Sequence, residues 1–165
     1  ARAPLDLQTT DGFTPLHLAA QEGHAEAFSA LLDARAPLDL QTTDGSTPLH
    51  LAAYSGHAEI LSALLHARAP LDLQTTQGFA PLHQAAQEGR AEILSALLHA
   101  RAPLDLQTTQ GFTPLHIAAQ EGPAEILSAL LGAPATLDLQ TTHGFTPLHL
   151  AAQEGRAEIL SALLH

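Results

Sequence analysis

The sequence repeats a four-residue motif, Thr-Pro-Leu-His, at a fixed interval. Copies begin at positions 14, 47, 113 and 146, a variant with alanine in place of threonine begins at 80, and each step is therefore 33 residues. A unit of this length is too small to bury its own apolar face, so neighbouring units must stack against one another. The period predicts a solenoid of stacked units.

Each unit carries the start and stop signals of two short helices, as its first complete copy shows. Thr14 can accept a helix N-cap bond, and Pro15 suits the first helical position because its missing N–H costs nothing there. Gly23 can end that helix in a left-handed conformation. We therefore predict helices over 15 to about 22 and about 24 to 32, followed by an extended segment and a turn. The fold class is all-α, with helix-turn-helix units and projecting β-hairpin loops.

The period divides the whole chain, 1–165, into one repeat array. Complete units are predicted at 11–43, 44–76, 77–109 and 110–142, with partial units at 1–10 and 143–165 and no separate capping repeats. Read end to end, the two partial units make one more repeat, and the sequence across that junction matches residues 62–76. The capping repeats of a solenoid normally have a polar outer face. Their absence predicts a longer array, or copies that stack head to tail.

Charge and composition exclude several classes of function. Seventeen acidic residues against six basic ones give a formal net charge of −11, and binding to nucleic-acid phosphates requires clustered Lys and Arg. We therefore predict no nucleic-acid partner. No apolar run approaches the roughly 20 residues needed to span a bilayer, so no membrane partner is predicted either. The absence of cysteine removes disulfides, thiol nucleophiles and zinc-finger patterns.

The segment from Asp11 to Glu26, D-G-F-T-P-L-H-L-A-A-Q-E-G-H-A-E, followed by Leu31-Leu32, resembles the ankyrin repeat family. The resemblance extends over essentially the whole chain. It implies stacked antiparallel helix pairs and a concave surface, formed by hairpin tips and first helices, that binds other proteins. It also implies that the motif histidines form local hydrogen bonds and brace adjacent hairpins. The structural motif residues are Thr14, His17, Thr47, His50, His83, Thr113, His116, Thr146 and His149.

The sequence departs from the family after each second helix. The family usually has glycine there, in a left-handed conformation, whereas this chain has arginine at positions 2, 35, 68 and 101 and Pro134 in the fourth unit. Arginine in that conformation costs about 1 kcal/mol. Proline cannot adopt it at all, so we predict that this helix ends differently and that 132–136 is the most irregular joint.

The titratable residues do not form a catalytic pattern. Equivalent histidines and acids recur once per unit, and neighbouring helices pack 8–10 Å apart, too far for equivalent histidines to share one metal ion. One aspartate recurs in each extended segment and one glutamate in each second helix, and neither series places two carboxylates opposite each other as in a hydrolase. No Ser-His-Asp arrangement or phosphate-binding loop is present. We predict no enzyme activity, no cofactor and no metal site.

The residue after each turn glycine is the best candidate for contact with a partner. It is phenylalanine in four units and Ser46 in the second. The rings either form an exposed apolar stripe or pack on the adjacent hairpin, and both alternatives remain open. With the neighbouring turn and helix-end residues, the predicted partner-binding residues are Asp11, Phe13, Gln21, Glu22, Asp44, Ser46, Tyr54, Ser55, Gln77, Phe79, Gln87, Glu88, Gln110, Phe112, Gln120, Glu121, His143, Phe145, Gln153 and Glu154.

Two functions follow from these patterns. The first is a non-enzymatic scaffold that binds a protein partner on its concave face. The alternative is a structural segment that stacks end to end with copies of itself into a longer array or filament. The phenylalanine row favours binding, whereas the near-identical units favour assembly or a repetitive partner.

Overall fold

A computed structural model describes residues 3–165 of the chain. This part of the chain contains ten helices and no residue in a β-strand. In chain order they are α1 (Pro15–Glu22), α2 (Ala25–Asp33), α3 (Pro48–Ser55), α4 (Ala58–His66), α5 (Pro81–Gln87), α6 (Ala91–His99), α7 (Pro114–Gln120), α8 (Ala124–Leu131), α9 (Pro147–Gln153) and α10 (Ala157–Leu163). The predicted all-α class is confirmed.

The helices stack in two parallel rows. The odd-numbered helices, which open each unit, pack one against the next from α1 to α9, and the even-numbered helices do the same from α2 to α10. Each first helix also packs against the second helix of its own unit. This order is that of a helical solenoid, as the 33-residue period predicts.

The first helices begin as the sequence predicts. The hydroxyl of Thr14 accepts the N–H of His17 at 3.3 Å, while Nδ1 of His17 accepts the N–H of Thr14 at 3.1 Å. This reciprocal pair satisfies two N–H groups that a helix terminus otherwise leaves without partners. The third unit differs because Ala80 has no hydroxyl. There the N–H of His83 donates to the Ala80 carbonyl at 2.9 Å instead.

The second helices end in the left-handed conformation that the sequence predicts. The φ angles of Arg35, Arg68 and Arg101 are 65°, 61° and 63°. The N–H of Arg35 donates to the Leu32 carbonyl at 2.9 Å, and the N–H of Ala36 donates to the Leu31 carbonyl at 3.0 Å, which closes the helix. The equivalent arginine at position 2 lies outside the described residues.

The fourth unit ends differently, as Pro134 requires. Helix α8 stops at Leu131, and Gly132 follows with φ of −70°. The N–H of Ala135 donates to the Ala133 carbonyl at 2.7 Å, whereas its counterparts in earlier units bond back to the helix. Thr136 donates from its N–H and hydroxyl to the carboxylate of Asp105, at 3.0 and 2.6 Å. These bonds to the preceding unit hold the irregular joint.

The projecting loops are tight turns without strand ladders. In the second unit, the N–H of Thr42 donates to the Ser46 carbonyl and the N–H of Gly45 donates to the Thr42 carbonyl, both at 2.9 Å. Gly45 has φ of 85°, and a Cβ added to it would lie 2.8 Å from the backbone of Thr75 in the next turn. Only glycine permits this approach. The turns therefore stack closely and form one edge of the solenoid.

The core is a continuous layer between the two helix rows. One leucine of each first helix is fully buried in the first four units, namely Leu16, Leu49, Leu82 and Leu115. Alanines such as Ala52 and Ala53 are buried beside them, and their small side chains allow the first helices to approach closely. The second helices contribute the larger aliphatic side chains.

Candidate partner-binding face

Seven of the predicted partner-binding residues line one groove. It lies between the third and fourth predicted units and encloses a cavity of about 370 Å³. The stacked turns contribute Gln77, Phe79, Gln110 and Phe112, and the ends of α5 and α7 contribute Gln87, Gln120 and Glu121. Thr108, Thr109 and Ile117, which the sequence analysis did not single out, complete the lining.

A second groove lies between the second and third predicted units. Its cavity is about 280 Å³. Its lining includes Asp44, Ser46, Tyr54, Gln77, Phe79 and Gln87, together with Thr75, Thr76 and Gln84. Because Gln77, Phe79 and Gln87 line both cavities, the two grooves share a wall. We call this surface, from Asp44 to Glu121, the groove face.

The other predicted residues occupy equivalent turns and helix ends. Asp11, Gln21, Glu22, His143, Phe145, Gln153 and Glu154 are exposed, and Phe13, Ser55 and Glu88 are half-buried. The two cavities do not include them. Most of the predicted residues of the second to fourth units therefore line the two cavities, whereas those of the first and last units do not.

Ser46 is the exception among the predicted residues, because its side chain is used inside the protein. The residue is 6% exposed, and its hydroxyl donates to the Asp44 carboxylate at 3.1 Å. The same carboxylate accepts bonds from the Thr42 hydroxyl and from the Ser46 N–H. Burial alone would raise the pKa of Asp44, but these donors favour its charged form and lower the pKa overall. Ser46 thus orders the turn and has no hydroxyl to offer a partner.

The phenylalanine rings combine the two arrangements left open by the sequence. Phe13, Phe79 and Phe112 are half-buried, and Phe145 is 37% exposed. Each ring meets the motif histidine of its own unit edge to face, with ring centroids 5.7 to 6.2 Å apart. One side of each ring therefore packs on the scaffold. Phe79 and Phe112 turn the other side toward the groove.

Four motif histidines link each unit to the next one. The Nε2 atoms of His17, His50, His83 and His116 lie 2.9 to 3.1 Å from the backbone carbonyl of the residue after the next turn glycine. Nδ1 of each ring accepts a backbone N–H, and a carbonyl can only accept, so Nε2 must carry the ring proton. Each ring is therefore neutral in the folded chain.

Burial makes these rings resist protonation. It lowers the pKa of His50 and of His83 from 6.5 to about 4, even though the carbonyl bonds act in the opposite direction. Burial also lowers the pKa of His17 and His116. A cationic ring would lose the Nδ1 acceptor that holds the N-cap. The series is therefore a set of neutral braces between units.

Two side chains that no sequence pattern indicated cap the ends of first helices. His57, which precedes the second helix of its unit, approaches the carbonyl of Gln21 at the end of α1 with its Nε2, at 3.0 Å. Arg156 occupies the position equivalent to His57 in the last unit. Its guanidinium donates to three carbonyls at the end of α7. The residue type at this position varies between units, but histidine and arginine can both supply the donors that a helix C-terminus requires.

Arg156 compensates for a proline one unit earlier. In the first unit, the N–H of His24 donates to the Ala19 carbonyl at 3.0 Å. Pro123 occupies the equivalent position of the fourth unit and has no N–H to donate to Ala118. Nη1 of Arg156 donates to that same carbonyl at 3.0 Å. The signal available in the sequence was a proline in this turn and an arginine one period later.

The sequence was compared with models of known protein families. A family model described as ankyrin repeats, in three copies, matches residues 1–75, 31–102 and 82–165. The chain belongs to the ankyrin repeat family. The resemblance noted in the sequence is thereby confirmed over the whole chain. Ankyrin repeats in general act as protein-interaction scaffolds. A search of curated proteins finds no relative that matches this chain.

Two further observations concern the chemistry that this ankyrin array presents. Within residues 3–165, no group of three or more acidic, histidine or cysteine side chains is arranged to hold a metal ion. In the same part of the chain, every helix is too short or too polar to cross a membrane. The groove face is instead lined by amides, hydroxyls, carboxylates and aromatic rings, which are groups suited to binding a polypeptide.

Proposed function

We propose that this ankyrin array is a non-enzymatic scaffold whose groove face, on the side that is concave in the family, binds a protein partner. The cavity between the third and fourth units supports this proposal most strongly. It combines two half-buried rings, Phe79 and Phe112, with a rim of glutamine side chains. Aromatic side chains at the centre of a polar rim are the usual composition of a protein-binding hot spot.

The charges on this face favour a basic partner. Its ionised side chains include Asp44 and Glu121, which are both exposed. None of the predicted partner-binding residues is lysine or arginine. A partner segment with an apolar side chain between Phe79 and Phe112 and a basic side chain near Glu121 would satisfy both the groove and its rim.

A selection experiment tests this proposal. Peptides selected from a displayed random library against the array are measured by fluorescence anisotropy against the Phe79→Ser/Phe112→Ser variant. Serine is the natural residue at the equivalent position 46, so the turn tolerates it. We expect affinity for the selected peptides to fall by about tenfold or more. The matched control is Glu92→Gln, an exposed position on the second-helix row. Equal affinity for all three proteins would refute binding at the groove face.

We propose assembly of copies end to end as a second candidate function. The near-identical units support it, because α4 and α6 have the same sequence, AEILSALLH, so one unit can pack on another in a single repeated register.

A further inference from the structure

A cavity separate from the groove face lies at the irregular joint between the third and fourth units. Its volume is about 460 Å³, and it shares no lining residue with the two cavities of the groove face. Cavities of about 300–1,000 Å³ with a mainly apolar lining are of the size that holds small ligands. The apolar lining comes from the end of α6 and from the segments that follow α6 and α8, namely Leu98, Ala102, Leu104, Ala133 and Pro134.

A second cavity adjoins the first between α6 and α8. Its volume is about 380 Å³, and it meets the first cavity at Leu98 and Ala133, which line both. We call the two together the joint cavity. The remaining residues that line the second cavity are Ser95, His99, Ser128, Ala129 and Gly132.

The sequence of the fourth unit explains why space remains at this joint. Gly132, Pro134 and Thr136 stand where the third unit has histidine, arginine and proline. Gly132 places no side chain in the second cavity. Pro134 cannot adopt the left-handed conformation that returns the chain to its helix, and the N–H of Ala135 donates to the Ala133 carbonyl at 2.7 Å instead. A histidine and a left-handed arginine would occupy part of the space that this joint leaves open.

Arg101 supplies a positive charge at the edge of the apolar space. It lines the first cavity and is exposed. Its φ angle of 63° and the bond from its N–H to the Leu98 carbonyl, at 2.9 Å, fix the point from which the side chain leaves the backbone. Within residues 3–165, no hydrogen bond or ion pair uses its guanidinium. The guanidinium donors are therefore available to a ligand.

The carboxylate that lines the joint cavity is already bound. Asp105 accepts the N–H of Thr136 at 3.0 Å on one oxygen and the Thr136 hydroxyl at 2.6 Å on the other. Because both oxygens have donors within the protein, the cavity combines an anion that is in use with a cation that is not. An anionic group is therefore the complement of the polar part of this cavity.

We propose that the joint cavity binds a small carboxylic acid with an apolar chain, of the kind that a medium-chain fatty acid represents. The carboxylate pairs with the guanidinium of Arg101, whose planar fork suits two parallel hydrogen bonds to a carboxylate. The chain lies over Leu98 and Ala133, where the two cavities meet. A charge at one edge of an apolar depression favours a ligand with one charged end over a uniformly apolar one.

The charge of the whole chain opposes this ligand, so the site must act locally. The net charge of −11 repels anions at low ionic strength. At about 0.15 M salt the screening length is about 8 Å, so a carboxylate at the joint interacts mainly with the charges beside it. Binding is therefore expected at physiological ionic strength, and it should weaken as the salt concentration is lowered.

Titration with octanoate, followed by two-dimensional amide NMR, tests the proposal. The wild-type chain in about 0.15 M salt should show saturable shifts at the amides of Leu98, Ala102 and Ala133, with a dissociation constant of about 1 mM or lower. Octanol has the same number of carbons without the charge. It should bind at least about fivefold more weakly than octanoate.

Two variants separate the charge from the shape of the cavity. Arg101→Gly removes the guanidinium, and glycine adopts the left-handed conformation readily. It should weaken octanoate binding about fivefold or more and leave octanol binding unchanged. The matched control is Arg68→Gly, the same change one unit earlier and outside the joint cavity, which should bind octanoate like the wild type. Gly132→His/Pro134→Arg gives the fourth unit the residues of the third and should abolish binding of both ligands.

Several results would overturn the proposal. These are octanoate binding that is unchanged in Arg101→Gly, an equal loss in Arg68→Gly, and equal affinity for octanoate and octanol. Shifts confined to the groove face around Phe79, or no saturable shift at the joint up to about 10 mM octanoate, would do so as well. Circular dichroism checks that Gly132→His/Pro134→Arg is folded. If it is not, Arg101→Gly and its control still decide the question.

Discussion

Acid should unfold this protein through the histidines that brace its units. The rings of His50 and His83 are almost fully buried and neutral, and burial holds the pKa of each at about 4, against 6.5 in the unfolded chain. Below pH 6.5 the unfolded chain therefore binds more protons than the folded one. The stabilisation is fully present above pH 6.5 and is lost as the pH falls toward 4.

The size of the effect follows from the pKa values. A shift from 6.5 to about 4 is worth roughly 3 kcal/mol for each ring when the whole interval is crossed. Between about pH 7.5 and about pH 4.5, the two rings together should reduce the free energy of unfolding by about 5 kcal/mol. The lowered pKa values of His17 and His116 act in the same direction. This is a large part of the stability of a typical domain.

Urea unfolding followed by circular dichroism at several pH values measures the effect. His83→Gln should lower stability at neutral pH but remove about half of the expected pH dependence, because one of the two strongly shifted rings is gone. The control is Leu97→Ala, a truncation in the buried core that destabilises the fold and keeps every histidine. A loss of less than about 1 kcal/mol between neutral and acid pH, or an unchanged dependence in His83→Gln, would show that the rings are not kept neutral by burial.

Three further predictions concern local features of the fold and are tested by urea unfolding. Arg156→Ala should cost about 2 kcal/mol because it removes the guanidinium bonds to the carbonyls of Ala118 and Ala119. The cost should shrink on a Pro123→Arg background, whose backbone N–H can donate to Ala118 as that of His24 donates to Ala19. Ala80→Thr should stabilise the third unit by about 1 kcal/mol, since it supplies the N-cap hydroxyl that the other units have. Arg68→Gly should raise stability by up to about 1 kcal/mol by relieving a left-handed arginine, and Arg68→Lys should give no gain.

The fold was predictable because its signals are local and repeated. Pro15 and Gly23 mark the two ends of α1, and the helix occupies that interval. Pro134 excludes a left-handed helix end, and the chain there turns by other bonds. Such rules depend on the φ angle and hydrogen-bonding groups of single residues, so they can be read without knowing what packs nearby.

The period indicated which residues occupy the stacked turns and helix ends, but not the contacts that they make. Contacts between units join residues that are far apart in the sequence, such as Arg156 and the carbonyl of Ala118, and no local pattern specifies that a side chain will reach that far. The burial of Ser46 also depends on the neighbouring Asp44 and Thr42, which could have been recognised only as a turn motif. The exposure of each phenylalanine depends on how the adjacent turns stack, which the period alone does not give.

The second unit bears directly on what the groove face can recognise. Ser46 removes the ring that the other turns carry, and the same unit has Tyr54 where the others have glutamine. Both residues line the cavity that also contains Phe79, and Tyr54 is 52% exposed. The unit therefore keeps one aromatic ring but moves it from the turn to the helix end. On the proposed binding function, a partner with evenly repeated contacts would meet a ring at the turn in the third and fourth units and at the helix end in the second. This offset would fix the register of the partner along otherwise near-identical repeats.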